Sequence, residues 1–417
     1  MKRTNLTIIL LLICSISFAQ KKKETKREEK FSIGGYGELL FQRMNYGPNL
    51  YATPKGSTKL NRQIMDMPRF VTEIKYKFTQ SIEFCTEIEY EHGGTGGAME
   101  MEFEEGGEYE MEIEKGGEVA LEQFHITKRF SRALNLRAGH FILGIGQINQ
   151  RHLPTQYLTT SRPEGETSLI PTTWHETGME IFGTIKKFDY RVQVVNGLDA
   201  SGLSSRYWTS LARQTKYELV TATNLAYILR LEYKGINGLR FGGSAYIGNS
   251  AKNTQKPEIM NGLDGKVSIY SFHANYNFGN IIASAQYLRG TIGDYKEINS
   301  VNKRVSNKAQ YPGTPVAEKA SCYSTEIGYD IFALSKSLKG RLIPFVRYDY
   351  YNSMEGSEST ADKRYQRDVY TYGLNYFPIP NVVIKADYST RRIGKGNYNT
   401  ENIFAVSIGF SGIFMKK

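Results

Sequence analysis

Between residues 31 and 414 the chain keeps changing face from one residue to the next. In 82–91, Ile82, Phe84, Ile88 and Tyr90 share one parity and Glu83, Glu87, Glu89 and Glu91 the other. In 70–78, Phe70, Ile74, Tyr76 and Phe78 oppose Arg69, Glu73, Lys75 and Lys77. In 225–233, Leu225, Tyr227, Leu229, Leu231 and Tyr233 oppose Arg230 and Glu232. The same holds for Val382, Ile384, Ala386 and Tyr388 against Lys385 and Asp387, and for 404–414. A period of two with charge confined to one face marks strands that are apolar on one side. A soluble sandwich has the same parity, so alternation alone leaves two architectures open.

The connections separate them. Strands are expected near 31–42, 66–79, 81–92, 118–130, 135–144, 174–186, 188–197, 224–235, 238–249, 266–278, 280–290, 321–334, 340–351, 367–378, 381–389 and 402–414. Every second join is short, as at 79–81, 186–188 and 378–381, and the joins between them are long, as at 43–65, 93–117 and 145–173. Short turns at one end and long loops at the other are the pattern of an outer-membrane barrel. Such a sheet crosses lipid only if it closes, because hydrocarbon offers no partner to an unpaired backbone group. An even number near sixteen also leaves a bore wide enough for water. The expected fold class is therefore all-β: a transmembrane antiparallel β-barrel of about 16 strands over 31–414, with long extracellular loops and short periplasmic turns.

Composition agrees where it bears on this. The chain has Tyr 29, Phe 21 and Gly 40 but Pro only 12, which suits many short strands. Its mean hydropathy of −0.43 is polar, as expected when only alternate residues meet lipid. Residues 1–19 read as a signal peptide: Lys2 and Arg3, then the apolar Leu6 to Phe18, then Ser17-Phe18-Ala19 before Gln20. Residues 20–30 form a charged periplasmic tail. The formal charge is +11, two units fewer without Lys2 and Arg3. No basic helix or zinc-finger pattern accompanies it, so nucleic acid is not an expected partner. A positive lumen or anionic lipid fits better. Cys85 and Cys322 lie on separate strands without disulfide or metal spacing.

Three features carry candidate chemistry. The stretch 100–114, within an acidic outer hairpin over 93–117, alternates glutamates with apolar residues around Gly106-Gly107. Its carboxylates, with Glu102, Glu104, Glu110 and Glu112 as ligands, are the kind of oxygen donors that hold Ca²⁺. A solvated hairpin packed on another loop is the plainer reading, since no Ca²⁺-loop spacing is present. No other cofactor is expected. The loop 145–173 is a candidate constriction carrying Arg151, His152, Arg162, Glu164 and Glu166. Folded inward, its arginines would attract anions where water is thin; left outside, it would be an ordinary exposed loop. Inward parity also selects Arg69, Lys75, Lys77, Arg137, Arg230, Arg347 and Lys385 as water-facing wall charges, with Lys77 placed to pair with Glu83 across a turn. The six histidines are scattered and no nucleophile motif accompanies them, so no enzyme is expected.

The segments RAGHFILGIGQ (137–147), TTSRPE (159–164), WHETGMEIFG (174–183), VVNG (194–197) and GLNYFPIPNVVIKADY (373–388) resemble, in order, the phosphate-selective porin O and P family. The leader ending SFAQ and the loops look similar to those of Bacteroidetes proteins. The resemblance implies a sixteen-stranded, usually trimeric pore in the outer membrane of a Gram-negative bacterium, passing anions or phosphate through a basic lumen. Its implied partners are membrane lipid and lipopolysaccharide, small hydrophilic solutes or anions, and two further copies in a homotrimer. The expected function is passive diffusion of small hydrophilic solutes or ions with mild anion or phosphate preference. The alternative is a surface-interaction or structural barrel that uses the acidic hairpin. That hairpin departs from the phosphate-selective pattern, and so does the ending Met415-Lys416-Lys417 after Phe414.

Overall fold

The computed structural model describes residues 29–47, 53–94, 99–103, 109–113, 118–214, 220–254, 257–304, 314–355 and 363–417. The expected signal peptide and most of the charged tail lie outside them. Among the described residues the strands are β1 (Phe31–Met44), β2 (Arg62–Lys77), β3 (Ile82–Tyr90), β4 (Met99–Phe103), β5 (Tyr109–Ile113), β6 (Val119–Arg129), β7 (Asn135–Ile142), β8 (His175–Ile185) and β9 (Phe188–Asn196). There follow β10 (Leu225–Ile236), β11 (Leu239–Asn249), β12 (Lys266–Phe278), β13 (Ile281–Ile292), β14 (Lys319–Tyr329), β15 (Arg341–Glu355), β16 (Gln366–Ile379), β17 (Val382–Ile393) and β18 (Glu401–Lys416). Among the described residues two short helices sit in loops, α1 (Glu164–Leu169) and α2 (Tyr295–Arg304).

All strands but β4 and β5 close into one antiparallel barrel, each bonded to its neighbour in sequence, with β3 joined to β6 and β1 to β18. The barrel has the sixteen strands that the alternation calls for. Tyr227, Leu229 and Leu231 of β10 stand exposed while Ala226, Ile228 and Arg230 between them are buried. Phe272 on β12 and Val346 on β15 are likewise exposed outward. Each such side chain is worth roughly 1.5–3 kcal/mol when lipid replaces water around it. Tyrosines join this face across strands: Tyr323 stacks on Tyr350 with ring centroids 4.8 Å apart, and Tyr348 meets Tyr370 at 5.1 Å. Amphipathic rings of this kind suit a membrane boundary.

Two local readings need correction. The strand expected over 321–334 begins at Lys319 and ends at Tyr329. The Asp330 carboxylate accepts the Phe332 N–H at 3.2 Å and turns Ile331–Leu334 into a short 3₁₀ turn, which competes with the strand ladder. The pair expected between Lys77 and Glu83 is opposite in register, but Glu83 bonds Arg129 instead, at 3.2 Å.

The acidic stretch does form a separate two-stranded hairpin. Its register sets Glu100 opposite Glu112 and Glu102 opposite Glu110. Glu104 and the Gly106-Gly107 turn lie outside the described residues.

Candidate constriction site

The chain leaves β7 and, instead of continuing above the barrel, runs across its inside until β8 begins. Apolar burial starts the crossing. Phe141, Leu143, Ile145, Leu169, Ile170 and Trp174 are all buried, and Trp174 packs on the inward ring of Tyr246 at 4.8 Å. A second loop covers the same cluster: Trp208 is buried, its indole N–H reaching the Ala317 carbonyl at 3.3 Å. Its six-membered ring edge occupies the space that a Cβ on Gly290 would need.

Polar bonds then fix the crossing to the wall. The Gly144 N–H donates to Gln193 of β9 at 2.8 Å, and Arg230 of β10 donates to the Gly146 carbonyl at 2.6 Å. Gln147 donates to Asn275 of β12 at 2.9 Å. Across the bore, Tyr157 donates its hydroxyl to Glu38 of β1 at 2.8 Å. Lys385 of β17 donates to the Tyr157 and Thr159 carbonyls at 2.8 and 2.9 Å, and its ammonium lies 3.9 Å from the Tyr157 ring centre. Asp387 accepts the Thr160 N–H at 2.6 Å, and Asn375 of β16 donates to the Leu158 carbonyl at 2.9 Å. At the helix α1, Glu164 accepts from Arg391 at 2.8 Å and from Tyr351 at 2.9 Å. Among the described residues, no hydrogen bond runs from the crossing segment to β3 or β6.

Open space lies at two levels. An outer chamber of about 700 Å³ is lined by Glu38, Asp66, Glu118, Arg162 and Arg213 among others. An inner one of about 690 Å³ is lined by Arg129, Arg132, Arg191, Lys234 and Arg240 against Asp189 and Glu232. The outer lining leans acidic and the inner one basic. Between these levels β3 and β6 present Glu87, Glu89 and Glu122, all buried and none in an ion pair among the described residues. Tyr36 donates to Glu122 at 3.2 Å and Gln123 donates to Glu87. Arg162 acts on Glu89 and Glu122 electrostatically from the loop side.

The candidate residues separate accordingly. Arg162 lines the outer chamber and donates to the Thr173 hydroxyl at 3.2 Å. Arg151 is turned into the wall, bonded to Asn275 and, at 3.0 Å, to the Gln156 carbonyl. His152 is buried, and its carbonyl takes a hydrogen bond from Arg69. Of the seven wall charges, Lys75 and Lys77 reach solvent, and Arg137 is held by Glu180 at 2.8 Å. Arg69, Arg230, Arg347 and Lys385 are buried, which corrects their reading as water-facing. Arg69 is tied to Glu38 at 3.0 Å, and Arg347 to Asp349 at 2.7 Å and to Glu326 at 3.3 Å. Three of these four hold the crossing segment. The histidines are less scattered than they read: His140 and His175 bond one another, and Arg213 donates to His175 at 2.8 Å. Parity alone selected the cationic wall residues. It had no means of finding Glu38, Gln193, Asn275 or Asn375, whose roles depend on what crosses the bore. Among the described residues, no three acidic, histidine or cysteine side chains gather to hold a metal.

No protein-family model matches the chain. It is 28% identical over 362 residues to an uncharacterized protein of Aquifex aeolicus, covering 86% of this chain and 74% of that one. Solved structures share its architecture. The outer membrane channel DcaP of Acinetobacter baumannii is 9% identical with a TM-score of 0.54, over 94% of this chain and all of that one. OmpF of Salmonella typhi, solved with daunomycin, is 11% identical with a TM-score of 0.54, over 92% and 98%. An anion-selective porin of Comamonas acidovorans is 10% identical with a TM-score of 0.51, over 92% and 100%. The specific likeness to the O and P family thus gains no independent support, while the fold is that of outer-membrane porins.

Proposed function

We propose that this protein is an outer-membrane porin through which small hydrophilic solutes and ions diffuse, limited in size by the segment that crosses the bore. One observation carries the reading. A closed barrel with an apolar outer face holds two solvent chambers inside, separated at the level of an infolded loop. Water-filled space within a lipid-facing wall is what passive diffusion requires. The basic inner chamber supports a mild preference for anions at that end. Glu87, Glu89 and Glu122 between the chambers oppose a strong one. A phosphate-specific channel would rely on Arg162, because Arg151 faces away from open space. A homotrimer is part of the proposal, on the resemblance described above.

Purified, folded protein in a planar bilayer tests this. Stepwise conductance is expected, with a reversal potential in a KCl gradient near zero or slightly of anion sign. Folded protein that conducts nothing would remove the porin reading. It would leave the hairpin, whose register sets glutamate against glutamate, as the basis of a surface-interaction barrel with Ca²⁺ as its bridging ion.

A further inference from the structure

The crossing segment is fastened to the wall at many points, but one fastening is internal to it. The Glu166 carboxylate on α1 accepts three successive backbone N–H groups, from Gln147 at 2.7 Å, Ile148 at 3.1 Å and Asn149 at 2.7 Å. Gln286 of β13 adds a side-chain donor to the same carboxylate. Glu166 is buried, and no cation forms an ion pair with it among the described residues. Successive amide groups pointing at one spot form an anion-binding concavity, here filled by the chain's own carboxylate. Gly146, at φ +76°, lies directly beneath: a Cβ there would stand 2.3 Å from a Glu166 oxygen.

We infer that Glu166 is the clasp that sets the width of the passage, a positioning residue rather than one that touches solute. It joins the entry of the crossing segment (146–149) to its exit helix, so the stretch between them is a closed, stiff ring instead of a loop hung from two ends. Through that ring it also places Arg162, which lies four residues before it and lines the outer chamber. The wall bonds fix where the ring sits, and the clasp fixes its shape. The inference rests on the porin reading.

The chemistry is specific enough to test. A carboxylate offers only acceptors, whereas a glutamine of the same size would set an NH₂ group against backbone N–H groups, donor to donor. Glu166→Gln is therefore the decisive variant, because it preserves volume while turning one of the two acceptor oxygens into a donor and removing the charge. With the barrel's heat-modifiable gel mobility unchanged, E166Q is expected to raise single-channel conductance about 1.5-fold or more. It should also broaden the distribution of conductance steps and admit a tetrasaccharide that wild-type proteoliposomes exclude. Wild-type conductance and wild-type sugar exclusion in folded E166Q would overturn the clasp. Gly146→Ala, which displaces the carboxylate from the other side, gives a second route: should E166Q fail to fold, a folded G146A with wild-type conductance and exclusion would overturn the inference equally. A wild-type protein without conductance would instead sink the porin reading itself.

Discussion

The two sides of the bore are built to different rules. At the level of the crossing segment, on the side formed by β9 to β13 and β15 to β18, together with β1 and β2, inward polar groups have partners on that segment, and charge is buried to position backbone. On the side formed by β3 and β6, inward charges face chambers or one another. β2 is shared: its Arg69 reaches the crossing segment, but its periplasmic end belongs with β3, and there Glu73 and Lys75 pair at 2.6 Å while both remain partly exposed. Residues that look alike in sequence therefore do different work. Lys385 and Lys75 share inward parity, yet Lys385 carries two loop carbonyls and is buried, whereas Lys75 borders water. A buried donor left without its acceptors is costly, and an exposed ion pair contributes little.

The two sides should become most alike when the attachment is removed altogether. Replacing residues 146–166 with a short Gly-Ser linker is expected to leave a folded barrel and raise conductance about threefold or more. Unchanged conductance would mean that the crossing segment does not limit flow. Next in size, Lys385→Met should cost about 1–3 kcal/mol, since the Tyr157 and Thr159 carbonyls lose their donor. Lys75→Met should stay within about 0.5 kcal/mol. Urea unfolding in detergent measures both, and equal effects would erase the distinction between the two sides. Smaller still, Arg162→Gln should move the reversal potential in a KCl gradient toward cation preference, while Arg151→Gln should leave it in place. A matching shift from Arg151→Gln would show that its guanidinium leaves Asn275 and faces the flow.

The smallest effect lies at the rim. His92 hydrogen-bonds Asp66 at 2.7 Å, and this bond to a carboxylate raises the imidazole above its ordinary value. The tie between the end of β3 and β2 is thus fully present below pH of about 6.5 and is lost as pH rises through the raised value. The protection factor of the His92 amide, which bonds the Met67 carbonyl, taken against the intrinsic exchange rate at each pH, should fall over that interval in wild type and not in Asp66→Asn.

The barrel was legible because one physical demand, apolar residues outward at every second position, repeats along each strand. The ends of β1 and β10 fall within a few residues of expectation for this reason. Where a side chain bonds its own backbone the pattern breaks unannounced, as at Asp330. The crossing segment was only half legible. Its length and position mark it out, but Leu143, Ile145 and Leu169 look equally at home on an outer loop packed on its neighbours. Its anchors, such as Gln193 and Asn375, are ordinary polar residues until a backbone group from more than forty positions away arrives beside them. Arg151 and Arg162, equal as charges in the sequence, are separated by one hydrogen bond to Asn275.

The seam between β1 and β18 pairs the two ends of the barrel, and Met415 and Lys416 belong to it, opposite Ile33 and Ser32. Nearly every other seam joins segments that follow one another along the polypeptide. This last one has the greatest contour distance to bring together, and until it zips the wall has two bare edges that lipid cannot satisfy. Insertion and closure are for that reason one event: the cylinder has no stable half-built form within the bilayer, and the residues past Phe414 take part in completing it.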